Sequence, residues 1–187
     1  KITGLSPVIS IEQKTTNKNP RSTVGTTTEI YDYLRLLYAR AGTAYSYATG
    51  EKMVKYTEEK VIQMIQQDYA GKHIYILAPL VRQRKGHYRE LFESMRRKGY
   101  LYVRVDGEIK EITQGMKVDR YKNHNIEVVI DKTAVQNKDN TRLVKSIQTA
   151  MKQGDGVITI LDKDSGNAKN FSKRLMDPVS GIAYNDP

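Results

Sequence analysis

The sequence predicts an α+β fold, a small mixed or antiparallel sheet with two helices, in the order β-α-β-β-β-α-β over residues 72 to 163. Three observations predict it. Apolar residues alternate like strands and recur like helices by turns along that stretch. Asp106-Gly107 sits between two short alternating runs, which signals a type I′ hairpin and so an antiparallel pair. Each of its two helical runs is closed by a glycine, Gly99 or Gly154.

Taken in order, "SPVISIEQ" alternates Ile9 and Ile11 against Ser10 and Glu12 as a short strand. A polar loop follows. Thr26 and Glu29 have the spacing of a capping box, opening a helix with Ile30, Leu34, Leu37 and Ala41 on one face and Gly42 as its stop. Residues 43 to 56 lack a helical stripe and are expected to form a hairpin. A second helix begins at Thr57, with Glu58 and Glu59 favoured by the helix dipole, and ends at Gly71. The compact unit then runs through the strand "HIYILAP", the helix "GHYRELFESMRRK", the hairpin "YLYVRV" and "EIKEI", the loop "QGMKVDRYKNH", the strand "NIEVVIDK", the helix "NTRLVKSIQTAMKQ" and the strand "GVITILD". The tail from residue 164 is polar and rich in turns. Residues 1–71 and 164–187 thus flank 72–163 as two pieces of another domain, into which the small domain is inserted.

Composition narrows the function classes. The 187 residues carry a formal charge of +10 and no cysteine. Disulfides and thiolate metal sites are excluded, and polyanionic or acidic partners are favoured through long-range steering. His73, His87 and His124 have no metal-ligand spacing and are expected as ordinary surface or edge residues, so no metal site is expected. No apolar run approaches the roughly 20 residues of a membrane span, and no secretory signal is visible. The chain starts at Lys1, and we expect a piece of a longer cytoplasmic protein with no membrane partner.

Three groups of residues are candidates for function. "RSTVGTT" has one glycine and no Walker A lysine, so it either caps the following helix or contacts an anion or DNA phosphate through Arg21 and Thr26. Arg82, Arg84, Lys85, Arg89, Arg96 and Arg97, with Lys98, form a basic stretch opposed by Glu90 and Glu93. The apolar stripe takes the other face, and an exposed basic surface is expected for DNA, for an acidic protein, or for neither. Glu127, Asp131 and Asp162 fall on strands, and Asp106 and Glu108 flank a turn. Nothing makes these carboxylates converge for acid–base work, and no catalytic residue is assigned.

"GLSPVISIEQKTTNKNPRSTVGTTTEIYDYLRLLYAR", "APLVRQRKGHYRELFESMRRKGYLYVRVDGEI" and "YKNHNIEVVIDK" closely resemble the UvrA family, the damage-recognition ATPase of bacterial nucleotide excision repair. The resemblance implies an internal piece of the first half of a dimeric ABC-type ATPase that scans DNA and loads UvrB. Residues 72–163 would be its UvrB-binding insertion, and the flanking pieces would be parts of the ATP-binding and signature subdomain. Gln13 matches the Q-loop glutamine. ATP and Mg would belong to the parent, and with no phosphate-cradling loop the segment alone is expected to hydrolyse nothing. The resemblance makes Arg104 and Lys132 the preferred contacts to a UvrB-like partner, with Asp131 and Glu127 secondary. Direct nucleic-acid binding through residues 81–99 is the alternative. The family's CPxCG zinc motif reads "DPVSG" here, with Asp177 and Ser180 at the thiolate positions, and "GTAYSYATG" lacks the cysteine the family has after its first helix. Loss of the first-half zinc is therefore expected. A paralogue protecting against DNA-bound drugs is the further alternative.

Overall fold

A computed structural model describes residues 24–136 and 140–184 of the chain. The strand expected at 6–13, Gln13 and Arg21, together with the side chain of Thr26, lie outside the described residues. The described chain divides into two compact units, residues 24–42 and residues 43–184.

The first unit is helical. α1 (Val24–Thr27) and α2 (Ile30–Ala41) are separate elements, because Glu29 adopts a left-handed φ of 62° between them. The expected capping box is not formed: Thr26 lies inside α1, and Glu29 is the N-cap of α2 without a side-chain cap. Thr28 instead donates its hydroxyl to the Val24 carbonyl at 2.6 Å. Gly42 does end α2, where a Cβ would run into the Tyr38 carbonyl.

The second unit is a six-stranded sheet backed by helices. Residues 43–56 fold back on themselves through a single bridge, Tyr45 to Lys52. α3 (Glu58–Asp68) starts as expected, with Thr57 Oγ1 accepting the Lys60 N–H at 3.3 Å. β1 (His73–Lys85) is followed by α4 (Arg89–Arg97), β2 (Tyr102–Val105), β3 (Glu108–Glu111), β4 (Asn123–Ala134), α5 (Thr141–Gln153), β5 (Val157–Asp162) and β6 (Ala168–Ser172). The strand order is β3-β2-β4-β1-β5-β6, and every pairing is antiparallel. β7 (Leu175–Met176) and β8 (Ala183–Tyr184) make a separate small pair.

Alternation within the strands decides which face is covered. Ile74, Ile76 and Ala78 of β1, Val103 and Val105 of β2, Ile126 and Val128 of β4 and Ile158 and Ile160 of β5 share one face. They join a single core with Val61 and Ile65 of α3, Phe92 and Met95 of α4 and Leu143, Ile147 and Met151 of α5. Each fully buried aliphatic side chain contributes about 1.5–3 kcal/mol.

Three elements differ from the sequence reading, each for a local reason. β1 runs on through Pro79 to Lys85, because register shifts at Pro79–Val81 and Val81–Arg84 accommodate the residue that cannot donate. α4 begins only at Arg89, after Tyr88 takes a left-handed φ of 52°. The polar tail supplies β6, which pairs along β5 and buries Phe171 in the common core. The globular unit therefore extends beyond 72–163 on both sides, taking in α3 and β6.

Candidate docking face

The sheet face opposite the core carries the charged side chains. Arg104 of β2 pairs in register with Glu127 of β4 and with Ile109 of β3, so all three point the same way. Leu77 pairs with Val129 and Tyr75 with Lys132 across a bulge that absorbs Ile130, which brings Lys132 onto that face too.

Glu127 is the centre of this face. It is only 2% exposed, and a lone carboxylate so placed would be costly. Two guanidiniums compensate it: Arg82 Nη2 lies 3.1 Å from Oε1 and Arg104 Nη1 lies 2.9 Å from Oε2. Thr159 Oγ1, 2.8 Å away, donates to Oε1 as well. Arg82 also donates to Thr159 at 3.0 Å and to Asn170 Oδ1 at 2.9 Å, tying β1, β4, β5 and β6 together. Arg104 also donates through Nε to the Gly107 carbonyl of the hairpin turn at 3.3 Å. Two cations against one anion leave the cluster net positive. Lys132 adds another charge, its Nζ standing 5.5 Å from the Tyr75 ring centroid. A groove of about 490 Å³ runs beside it, lined by Tyr75, Tyr100, Tyr102, Ile109, Asp131 and Lys132 among others.

The structure thus gathers some of the sequence-chosen residues and separates others. Arg104 and Lys132 do share a sheet face. Glu127 shares it but is buried beneath the arginines, so it positions them and offers nothing to a partner. Asp131 points the other way. It pairs in register with the core residue Ile76 and accepts from Arg142 Nη2 at 2.6 Å and from Ser146 Oγ at 2.6 Å on α5. Burial raises its pKa, but the hydrogen bonds from Arg142, Ser146 and the Lys132 N–H outweigh that and leave it lowered. Its work is to fasten α5 to β4.

The expected basic surface is likewise divided. Arg82 leaves it for Glu127, its side chain 24% exposed on the face away from α4. Arg84 and Lys85 are exposed at the end of β1, and Arg89, Arg96 and Arg97 are exposed on α4, with Arg96 paired to Glu93 at 3.3 Å. His124, expected at the surface, is buried in β4. Its Nδ1 lies 2.6 Å from Asp106 and its Nε2 2.7 Å from the Asp119 carbonyl. Thr159 and Asn170 were not singled out in the sequence, where only the strand alternation hints that Thr159 shares a face with Leu161 rather than with Ile158 and Ile160.

Among the described residues no group of three or more His, Cys, Asp or Glu gathers as a metal site, and no helix is long and apolar enough to cross a membrane.

Comparison with known proteins gives the family. The UvrA interaction domain family matches residues 56–164, a span that includes α3 and ends just past β5. The chain is 45% identical over 187 residues to the UvrABC system protein A of Deinococcus radiodurans, covering 96% of this chain and 18% of that protein. It is 46% identical to the UvrABC system protein A of Lactococcus lactis, covering 97% and 19%, and 47% identical to that of Methanothermobacter thermautotrophicus, covering 99% and 20%. It therefore spans about a fifth of the length of these curated relatives. With that family matched over more than half of its residues, the chain belongs to the UvrA interaction domain family.

Proposed function

We propose that this chain is a docking module in nucleotide excision repair, and that the positive sheet face binds an acidic surface of a UvrB-like protein. One observation carries the reading: a buried carboxylate holds two arginines in fixed positions and leaves the pair with surplus positive charge. Pre-ordered guanidiniums lose little freedom on meeting a carboxylate, and they match its geometry. The groove beside them supplies tyrosines, which with arginine are the residue types that dominate interface energetics. ATP and Mg binding, DNA scanning and dimerisation would belong to the remainder of the longer protein.

The test is a titration of the chain with a UvrB protein, and in parallel with duplex DNA at two salt concentrations. Arg104→Gln combined with Lys132→Glu should weaken UvrB binding roughly a hundredfold, about 2.7 kcal/mol, while circular dichroism confirms the fold. Reversing Arg104 to an acid is avoided, because it would set a second carboxylate beside Glu127. Unchanged UvrB affinity in the double variant would sink this reading. Tight DNA binding with a steep salt slope, lost on neutralising Arg84, Lys85, Arg89 and Arg97, would favour a nucleic-acid module instead.

A further inference from the structure

Two four-residue turns far apart in the chain are built alike. Ser46 and Thr49 stand three apart and are followed by Gly50; Asp177 and Ser180 stand three apart and are followed by Gly181. In each, the glycine takes a positive φ, 74° or 70°. Each glycine donates its N–H to the first residue's carbonyl, at 2.8 Å and 2.9 Å. The first residue's N–H bonds a carbonyl five positions on, Ser46 to Glu51 at 2.7 Å and Asp177 to Ile182 at 3.0 Å. Its side chain accepts the next two turn amides: Ala48 and Thr49 on Ser46, Val179 and Ser180 on Asp177. The fourth residue's hydroxyl accepts the N–H two positions on, Glu51 or Ile182.

The two turns meet at one atom. Asp177 Oδ2 accepts Ser46 Oγ at 2.7 Å and Thr49 Oγ1 at 2.8 Å, while Oδ1 accepts Val179 N–H at 2.9 Å and Ser180 N–H at 3.3 Å. Asp177 is fully buried. Paired x-x-spaced turns that converge on a centre are the arrangement of a structural zinc knuckle. The donor set does not fit zinc. One carboxylate and three hydroxyls replace soft or imidazole ligands, and both carboxylate oxygens are already taken by internal donors.

The geometry points to a metal-free clamp: the Asp177 carboxylate occupies the place of the ion and ties residues 46–51 to residues 177–182. The family's zinc module, implied for this stretch by resemblance, is replaced by a hydrogen-bonded one. The fold is thereby freed from metal supply and from thiol oxidation, consistent with a chain that has no cysteine. The bridge between Val54 and Met176 extends the same tie by two backbone hydrogen bonds of 2.9 Å.

Three measurements on the 187-residue chain test this. Zinc content by mass spectrometry should be far below one per chain, and a strong chelator should leave the thermal midpoint unchanged. Asp177→Ala should speed amide exchange at Val179 and Ser180 on the order of tenfold or more, because their acceptor is gone, and to a lesser degree at Ala48 and Thr49, because the Ser46 hydroxyl that accepts them loses the carboxylate that fixes it. A variant with Ser46→Cys, Thr49→Cys, Asp177→Cys and Ser180→Cys should bind one cobalt(II) with thiolate-to-metal absorption and gain thermal stability with zinc. Stoichiometric zinc in the unaltered chain, a midpoint lowered by chelator, or unchanged amide exchange would overturn the clamp. If Asp177→Ala does not fold, the four-cysteine variant still decides: failure to take up one metal means the turns do not have knuckle geometry.

Discussion

Glu127 and Asp177 are both buried carboxylates, and they are satisfied in opposite ways. Glu127 is compensated by charge, with Arg82 and Arg104 on its two oxygens and a positive surplus left over. Asp177 is held by neutral donors, two hydroxyls and two amides. The difference teaches what each site is for. Ionic compensation with a surplus sets charge at a surface in a fixed geometry. Hydrogen-bond compensation uses up the carboxylate and closes one segment on another. Burial pushes the Asp177 carboxyl up, yet the bonds from Ser46, Val179, Thr49 and Ser180 outweigh it and hold the group well below the ordinary carboxylate range.

The comparison breaks hardest at Glu127. Glu127→Ala removes the anion and leaves two guanidiniums facing each other, so the loss should be about 3–5 kcal/mol, read by urea unfolding with an unchanged slope. Replacing Glu127, Arg82 and Arg104 together by Leu or Met should recover most of that loss, because packed apolar side chains serve as well as a buried ionic triad. The recovered variant should still lack the binding to a UvrB-like protein proposed for this face. Recovery of stability with binding intact would show that the triad has a structural role alone.

Much of this was legible in the sequence, and the parts that were not share a cause. The Asp106-Gly107 turn reads directly, since only its local backbone demand is involved, and both residues take positive φ, 51° and 94°. The apolar stripe of α5 reads as well, with Leu143, Ile147, Ala150 and Met151 all buried. Arg82 and Asp131 do not. Their destinations depend on strand pairing and on bulges near Pro79 and Ile130, which shift register by one residue and exchange faces. β6 escapes because "AKNFS" places one apolar residue in the core and owes its strand form to β5. The clamp was half visible: the zinc motif's departure at Asp177 and Ser180 and the missing cysteine of "GTAYSYATG" can both be read, whereas nothing in the residue types at Ser46 and Thr49 tells that this turn meets the other at Asp177.

A milder test separates the two faces of the sheet. Asp131→Ala should loosen α5 against β4, with faster amide exchange in the first turns of α5, but with a smaller loss of stability than Glu127→Ala. Its main ionic partner Arg142 is largely exposed, and exposed pairs contribute little. Affinity for the proposed partner should not change, because the Asp131 carboxylate is taken up by Arg142 and Ser146 of α5 although the residue borders the groove. A clear loss of affinity without a change in fold would place Asp131 back among the contacts.

The smallest effect concerns a third polar tie, beside the docking face. His124 bonds Asp106, which in turn accepts the Asn125 N–H at 2.8 Å and so fixes the hairpin turn that Arg104 also reaches. The Asp106 side chain raises the His124 pKa; burial opposes it, and the Asp119 carbonyl and the nearby carboxylates add to the rise. A raised histidine stabilises fully below its unfolded value of about 6.5 and loses that contribution as pH climbs through the folded value. Asp106 behaves in reverse. Burial raises it, but the Asn125 N–H and His124 prevail and leave it lowered, so its contribution is present above the ordinary carboxylate pKa and fades in acid. The tie should therefore hold best between about pH 4 and 6.5. The gap in thermal midpoint between the unaltered chain and His124→Gln should narrow as pH rises from about 6 to 9. Partner affinity should weaken slightly over the same range, since a looser turn leaves the Arg104 guanidinium less firmly placed. A gap that widens toward alkaline pH would mean that His124 is held neutral, and that the hairpin owes its position to Gly107 and the strand register.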